Sequence, residues 1–165
     1  CSELISEERQ SHCFAYIVWS TTMPTLIQAR YDDLMTRAQL AKIMSQFAIT
    51  ILWRRADTAK ECKFVGKDPD GLAAYMTQAC QLGLMNMTRP NDTLTRGEYM
   101  TVLSRMLYGT TYEQKEVESE QHPFYEHHME NLYQQGLIKF KDPLGVAPRY
   151  VPFLTLYRVA WLLLK

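Results

Sequence analysis

The sequence predicts an all-α fold: three helix–loop–helix units that share one core. Three observations lead there. A short phrase recurs at a fixed phase, apolar helical stripes end at glycines, and a Thr-x-x-Glu or Thr-x-x-Gln opens two of the helices that follow. Self-similarity at such spacing marks stacked supersecondary units.

The phrase is Thr36-Arg37-Ala38-Gln39 in the first unit and Thr95-Arg96-Gly97-Glu98 in the second, with Arg149 in Ala147-Pro148-Arg149-Tyr150 as a weaker third. Three residues after the arginines stand Leu40, Tyr99 and Pro152. Seven after stand Met44, Leu103 and Leu156, and ten after stand Phe47, Met106 and Val159. That is one face of a helix. Thirteen residues before Arg96 and Arg149 are Gly83 and Gly136. Ahead of these run the stripes Leu72, Met76, Ala79 and Tyr125, Met129, Leu132. Glycine is the usual residue where a chain turns left-handed after a helix. The Thr hydroxyl accepts an N–H at the next helix start, and Glu98 or Gln39 reaches back to the cap. Neither helix of a unit hides its stripe alone.

The units divide a single domain, 1–165, into residues 1–53, 62–109 and 120–165. The first is the least regular. Its first helix is predicted over Glu7 to Val18, Trp19 takes the place of the stop glycine, and the loop Ser20 to Met35 is longer. Terminal repeats are often atypical because one face lacks a neighbour. The polar stretches Arg54 to Glu61 and Gly109 to Gln121 read as linkers, and the second is the better candidate for a mobile loop.

Composition narrows the function. The chain has 165 residues, 47% apolar, and a formal net charge of zero. A nucleic-acid binder carries a basic face, so that partner is not expected. No eighteen-residue apolar run occurs, so no membrane span is expected. The cluster Glu126-His127-His128-Met129-Glu130, with His122 nearby, invites a metal reading. Ligands on a helix stand three or four apart, as in H-E-x-x-H, whereas His127 and His128 are adjacent. A solvated histidine pair is expected there. No phosphate loop, nucleophile elbow or spaced carboxylate pair is present. The chain reads as a non-enzyme without cofactor or metal. The nine methionines and the aromatic stripes read as core.

The units resemble S-layer homology repeats, which occur in threes and anchor bacterial surface proteins to wall-associated glycans. The stretch Cys62-Lys63-Phe64, Ala79-Cys80-Gln81-Leu82-Gly83-Leu84-Met85, Arg89-Pro90-Asn91-Asp92, Thr95-Arg96-Gly97-Glu98 and Val102-Leu103-Ser104-Arg105 carries the likeness. It is similar to a cysteine-bearing version in surface proteins of uncultured small-genome bacteria, as is Thr21-Thr22-Met23-Pro24-Thr25. The resemblance implies a pseudo-threefold domain with second helices at the centre and grooves between units. It implies that Arg37, Arg96 and Arg149, with Asp92 and Glu98 beside them, face grooves that hold an acidic cell-wall or envelope polysaccharide. An exposed guanidinium at a helix N-terminus would add a bidentate donor to N–H groups that favour anions. Departures are Gln39 and Val151 in place of Glu, Pro152 in the first turn, and no Thr cap in unit three.

The cysteines are Cys1, Cys13, Cys62 and Cys80, with no C-x-x-C pair. Cys62 and Cys80 read as a disulfide or as two buried thiols. The extracellular, cell-surface setting that the resemblance implies favours the disulfide. Cys1–Cys13 is a weaker pairing, since a continuous helix holds them about 18 Å apart. Cys1 pairing elsewhere or carrying a lipid is the alternative.

Two functions remain open. One is a glycan-anchoring module. The other is a self-assembling subunit of a surface layer or filament. The segment Val159-Ala160-Trp161-Leu162-Leu163-Leu164 is apolar nearly all round, so Trp161 or Leu163 is expected between subunits of a homo-oligomer or polymer. Zero net charge removes long-range repulsion between copies.

Overall fold

The computed structural model describes Ser6, Cys13, Arg30 and residues 32–64, 67–68, 70–113, 123–139 and 141–163. The secondary structure is helical: α1 (Arg37–Thr50), α2 (Ala73–Gln81), α3 (Arg96–Tyr108), α4 (Glu126–Gln134) and α5 (Tyr150–Leu163), with no strand among the described residues. None of these helices is long and apolar enough to cross a membrane. The expected first helix over residues 7–18 lies outside the described residues apart from Cys13. So do Trp19, Cys1 and His122, and most of the loops at 20–35 and 109–121.

The local signals act as read. Thr36 and Thr95 each form a capping box, the hydroxyl accepting the Gln39 or Glu98 N–H while that side chain accepts the threonine N–H. α2 and α4 stop at Gly83 and Gly136, whose φ angles of 74° and 69° suit glycine. The phase holds in all three second helices. Leu40, Met44, Phe47, Tyr99, Leu103, Met106, Pro152, Leu156 and Val159 are buried. Pro152 is harmless because it is the third residue of α5, where an N–H has no partner within the helix.

Packing joins the units. α1 packs on α2 and on α3, and α3 packs on α4. Val151, Leu156, Val159 and Ala160 of α5 belong to the same core cluster. Tyr99 of α3 is wholly buried beside Thr155 and Arg158 of α5, and burial pushes its phenol pKa up. α3 and α4 approach closely at Gly97, where a Cβ would stand 2.8 Å from the Tyr125 ring.

The segments ahead of the second helices close a ring. The Met35 N–H donates to Ala147 O (3.3 Å), the Ala147 N–H to Leu94 O (3.1 Å) and the Leu94 N–H to Met35 O (3.0 Å). Single antiparallel bridges pair Leu34 with Pro148, Thr36 with Thr93, and Thr95 with Val146. The N–H of each phrase arginine then donates to a loop of another unit: Arg37, first in α1, to Asp92 O, Arg96, first in α3, to Gly145 O, and Arg149, just ahead of α5, to Asp33 O, at 2.8–3.1 Å. Ala38 and Gly97 N–H groups donate likewise to Pro90 O and Pro143 O.

A disulfide joins Cys62 to Cys80 on α2, with Cα atoms 6.1 Å apart. The Lys60 ammonium donates to Cys80 O and the Asp57 N–H to Gln81 O, which lay the linker against the end of α2. Arg54, in the same linker, donates to Arg105 O and Met106 O near the C-terminus of α3. A cation there complements the helix dipole. Cys13 is also disulfide-bonded.

Candidate functional site

A cleft of about 440 Å³ opens between the first and second units, lined by Arg37, Met85, Asn86, Arg89, Glu98, Thr101, Val102, Arg105 and Phe124. Arg37 opens α1, and its side chain crosses to the second unit. Nε donates to Thr88 O (3.0 Å), Nη1 to Glu98 Oε1 (3.1 Å) and Nη2 to Asn86 Oδ1 (2.7 Å). Asn86 and Thr88 sit in the short loop after Gly83. Arg89, at φ 51°, turns from that loop so that its guanidinium meets Glu98 Oε1 and lies 3.5 Å from Asp92 Oδ2. Arg105 lies two turns along α3 from Glu98 and is held by Glu113 through both carboxylate oxygens.

The electrostatics centre on Glu98. Its burial opposes ionisation, but the Thr95 N–H, Arg89 and Arg37 outweigh that and hold its pKa below the usual carboxylate value. Burial lowers the Arg37 pKa, with Glu98 opposing. Three guanidinium groups line the cleft against one carboxylate. The Arg89 side chain is 57% exposed and Glu98 12% exposed, so Arg89 is the cation presented to an incoming group. Phe124, Met85 and Val102 give the walls apolar surface.

The expected site residues fall into two groups. Arg37 and Glu98 line this cleft, and Asp92 pairs with Arg89, which lines it too. Arg96 and Arg149 do not line it. Arg96 instead pairs with Asp142 at 3.1 Å. The sequence pointed to Arg96 beside Glu98 or Asp92, yet residues two apart on a helix do not face each other. Glu98 turns to the arginine of the preceding unit. Val151 stands where a second Glu98 would be, so a carboxylate from the loop neutralises Arg96. Arg149 is half-buried, and its N–H is taken by Asp33 O.

Two expectations are corrected. Arg37 is not exposed: it retains 5% of its surface, because Glu98, Asn86 and Thr88 satisfy it. The helix N-termini do not offer a row of donors either. At α1 and α3 the first two N–H groups are taken by the neighbouring loop, and the third by the capping threonine. Sequence reasoning also passed over Asn86, Arg89 and Arg105 as binding groups. Arg89 and Arg105 lay within the stretches that carried the resemblance, while Asn86 gave no signal.

The histidine pair splits. His127 is exposed, but His128 is wholly buried, with Nδ1 2.9 Å from Ser104 Oγ and Nε2 3.9 Å from Glu113 Oε2. His128 stands four residues before Leu132, so it shares the core face of α4. Burial lowers its pKa, with Glu113 opposing. A serine, histidine and carboxylate in line suggest acyl transfer, but neither Ser104 nor His128 meets solvent, so no substrate carbonyl reaches the hydroxyl. Among the described residues no group of His, Cys, Asp or Glu side chains is placed to hold a metal.

Trp161 is 54% exposed. Leu163 packs against the core from a partly buried position.

The chain matches no protein-family model, no curated protein and no solved structure.

Proposed function

We propose that the chain is a non-enzymatic module of the S-layer homology type, with three units in pseudo-threefold arrangement, that anchors to an acidic cell-wall or envelope glycan at the bacterial cell surface. The observation that carries the binding reading is the cleft between the first two units, where Arg89 stands exposed over the buried Arg37–Glu98 pair. Two guanidinium groups share Glu98, and Arg89 keeps further donors for a ketal carboxylate or phosphate. Phe124 and Val102 suit the apolar face of a sugar ring. The closed ring through Met35, Leu94 and Ala147 supports the pseudo-threefold reading. The Cys62–Cys80 disulfide suits an oxidising, extracellular setting.

The test is retention on purified acidic wall glycan, with a neutral polysaccharide as control. Arg89→Ala is expected to weaken retention by about 1.5–3 kcal/mol, the worth of a hydrogen bond to a charged group. Equal retention of a folded Arg89→Ala protein defeats the glycan reading. The self-assembling subunit then stands as the function, favoured by the exposed apolar side chains of α5.

A further inference from the structure

Arg105 lines the same cleft as Arg37 and Arg89, but an internal partner holds it. Its Nε and Nη2 donate to the two carboxylate oxygens of Glu113, and Nη1 reaches Leu84 O at 3.5 Å. A guanidinium fork on a carboxylate is the contact that an acidic ligand makes with an arginine. Glu113 comes from the segment after α3, so it stands in for that ligand from within the chain.

Behind Glu113 lies His128. Its Nδ1 is 2.9 Å from Ser104 Oγ, and its Nε2 is buried without a hydrogen bond, 3.9 Å from Glu113 Oε2. The neutral ring carries one N–H, whereas the imidazolium carries one on each nitrogen. A buried charged donor left unmet is costly. Closing the gap to Glu113 Oε2 to about 2.8 Å, the length of a charge-assisted bond, takes a move of about 1 Å. The oxygen that moves is the one that Arg105 Nη2 holds at 3.0 Å. Protonation of His128 therefore loosens the grip of Glu113 on Arg105. It also cancels the negative charge that the guanidinium feels. Both effects favour an anion in the cleft.

The groups around His128 reinforce the coupling. Glu113 faces it from the segment after α3, Arg105 from α3 and His127 from its own helix. The two cationic neighbours, Arg105 and a charged His127, oppose the imidazolium, so an anion that arrives at Arg105 relieves part of that opposition. The coupling is reciprocal. A ligand that binds better when His128 is charged also makes His128 easier to charge.

We propose that Arg105 is a second anion contact of the cleft, occluded by Glu113 at neutral pH and released to an acidic ligand when His128 takes up a proton. The proposal rests on the reading of the cleft as an anion site and adds a pH control to it.

The probe is inorganic sulfate, which stays a dianion from pH 7 to pH 5. It is titrated onto the full chain and followed by NMR at the arginine side chains. Wild type is expected to bind it at least ~5-fold tighter at pH 5 than at pH 7, the low end of an ordinary coupling between two sites. Saturating sulfate should raise the His128 transition. Glu113→Gln should bind at pH 7 as tightly as wild type does at pH 5, and lose the pH dependence. His128→Gln should lose the dependence and stay weak, while His127→Gln should keep it. Equal wild-type binding at both pH values, still weakened by Arg89→Ala, leaves the cleft an anion site and overturns the release of Arg105. A His128 transition that saturating sulfate does not move overturns it too, and that measurement needs no variant. The same follows if a folded Glu113→Gln protein binds no tighter than wild type at pH 7. Absence of binding at either pH overturns the proposal together with the anion reading of the cleft.

Discussion

Arg37 and Glu98 pair at 3.1 Å across the boundary of the first two units, with side chains 6% and 12% exposed. Each belongs to a different copy of the recurring phrase. The glutamate that caps its own helix is also the counterion for its neighbour's arginine. A local capping signal and a long-range ion pair thus share one carboxylate.

Glu98→Gln keeps an acceptor for the cap but removes the charge that compensates Arg37. Breaking one member of a buried pair costs about 3 kcal/mol. Adding Arg37→Met to it should recover part of that loss, since the two sites are coupled. The acid limb gives a second reading. A carboxylate with a depressed folded pKa adds stability above its unfolded value, near 4.5, and that stability is lost as pH falls through the folded value. Thermal melts below pH 4.5 should therefore fall more steeply for wild type than for Glu98→Gln. Parallel melting curves would count against the pair's role.

Gly97 tests the spacing between α3 and α4. An alanine Cβ there would lie 2.8 Å and 2.9 Å from Tyr125 ring atoms. Overpacking of this kind costs about 1–3 kcal/mol. Gly97→Ala should lower the denaturant midpoint accordingly, and Tyr125→Ala added to it should restore part of the loss. If Gly97→Ala unfolds at the wild-type midpoint, the two helices stand further apart than described.

What was legible in the sequence is what depends on neighbours along the chain. Leu40, Met44 and Phe47 reveal their face by periodicity alone, Gly83 and Gly136 mark their stops by backbone preference, and Thr36 and Thr95 announce caps three residues long. The cleft was legible only in part. Arg37 and Glu98 were singled out, but as members of separate motifs. Nothing local says that Glu98 turns to another unit, because the ring of Met35, Leu94 and Ala147 that sets the units side by side is made of backbone groups common to every residue. Arg89 reaches the site through a left-handed turn at a non-glycine residue, which composition does not reveal. His128 read as half of a solvated pair, although its spacing of four from Leu132 places it on the core face.

The Cys62–Cys80 bridge spans a sequence separation of 18 residues. In the chain-entropy account, closing a loop of that length restricts the unfolded state by about 3 kcal/mol. The double variant Cys62→Ser, Cys80→Ser should lose about 2–4 kcal/mol in denaturant unfolding. Mass spectrometry of the unreduced wild-type protein should find the two cysteines joined. Recovery of both as alkylated thiols would remove the bridge from the structure.

His128 gives the chain a pH dependence in a different window from Glu98. Its imidazole is buried between Ser104 of α3 and the Glu113 carboxylate, with Arg105 and His127 as further charges nearby. Burial lowers its pKa, and Glu113 only partly opposes this. The sign follows from proton counting. Below the ordinary value of 6.5 the unfolded chain binds a proton that folded His128 refuses, so stability rises with pH through this range and falls as pH drops below it. Wild type should melt progressively lower between pH 7 and pH 5, before the Glu98 window is reached. His128→Gln, which keeps a polar group for Ser104 but takes up no proton, should melt lower at pH 7 yet show a flatter slope down to pH 5. NMR titration of the folded protein should place the His128 transition below 6.5. An unchanged slope in His128→Gln would mean that folding leaves the imidazole's proton affinity unaltered, and a His128 transition above 6.5 would mean that Glu113 dominates and stabilises the charged form.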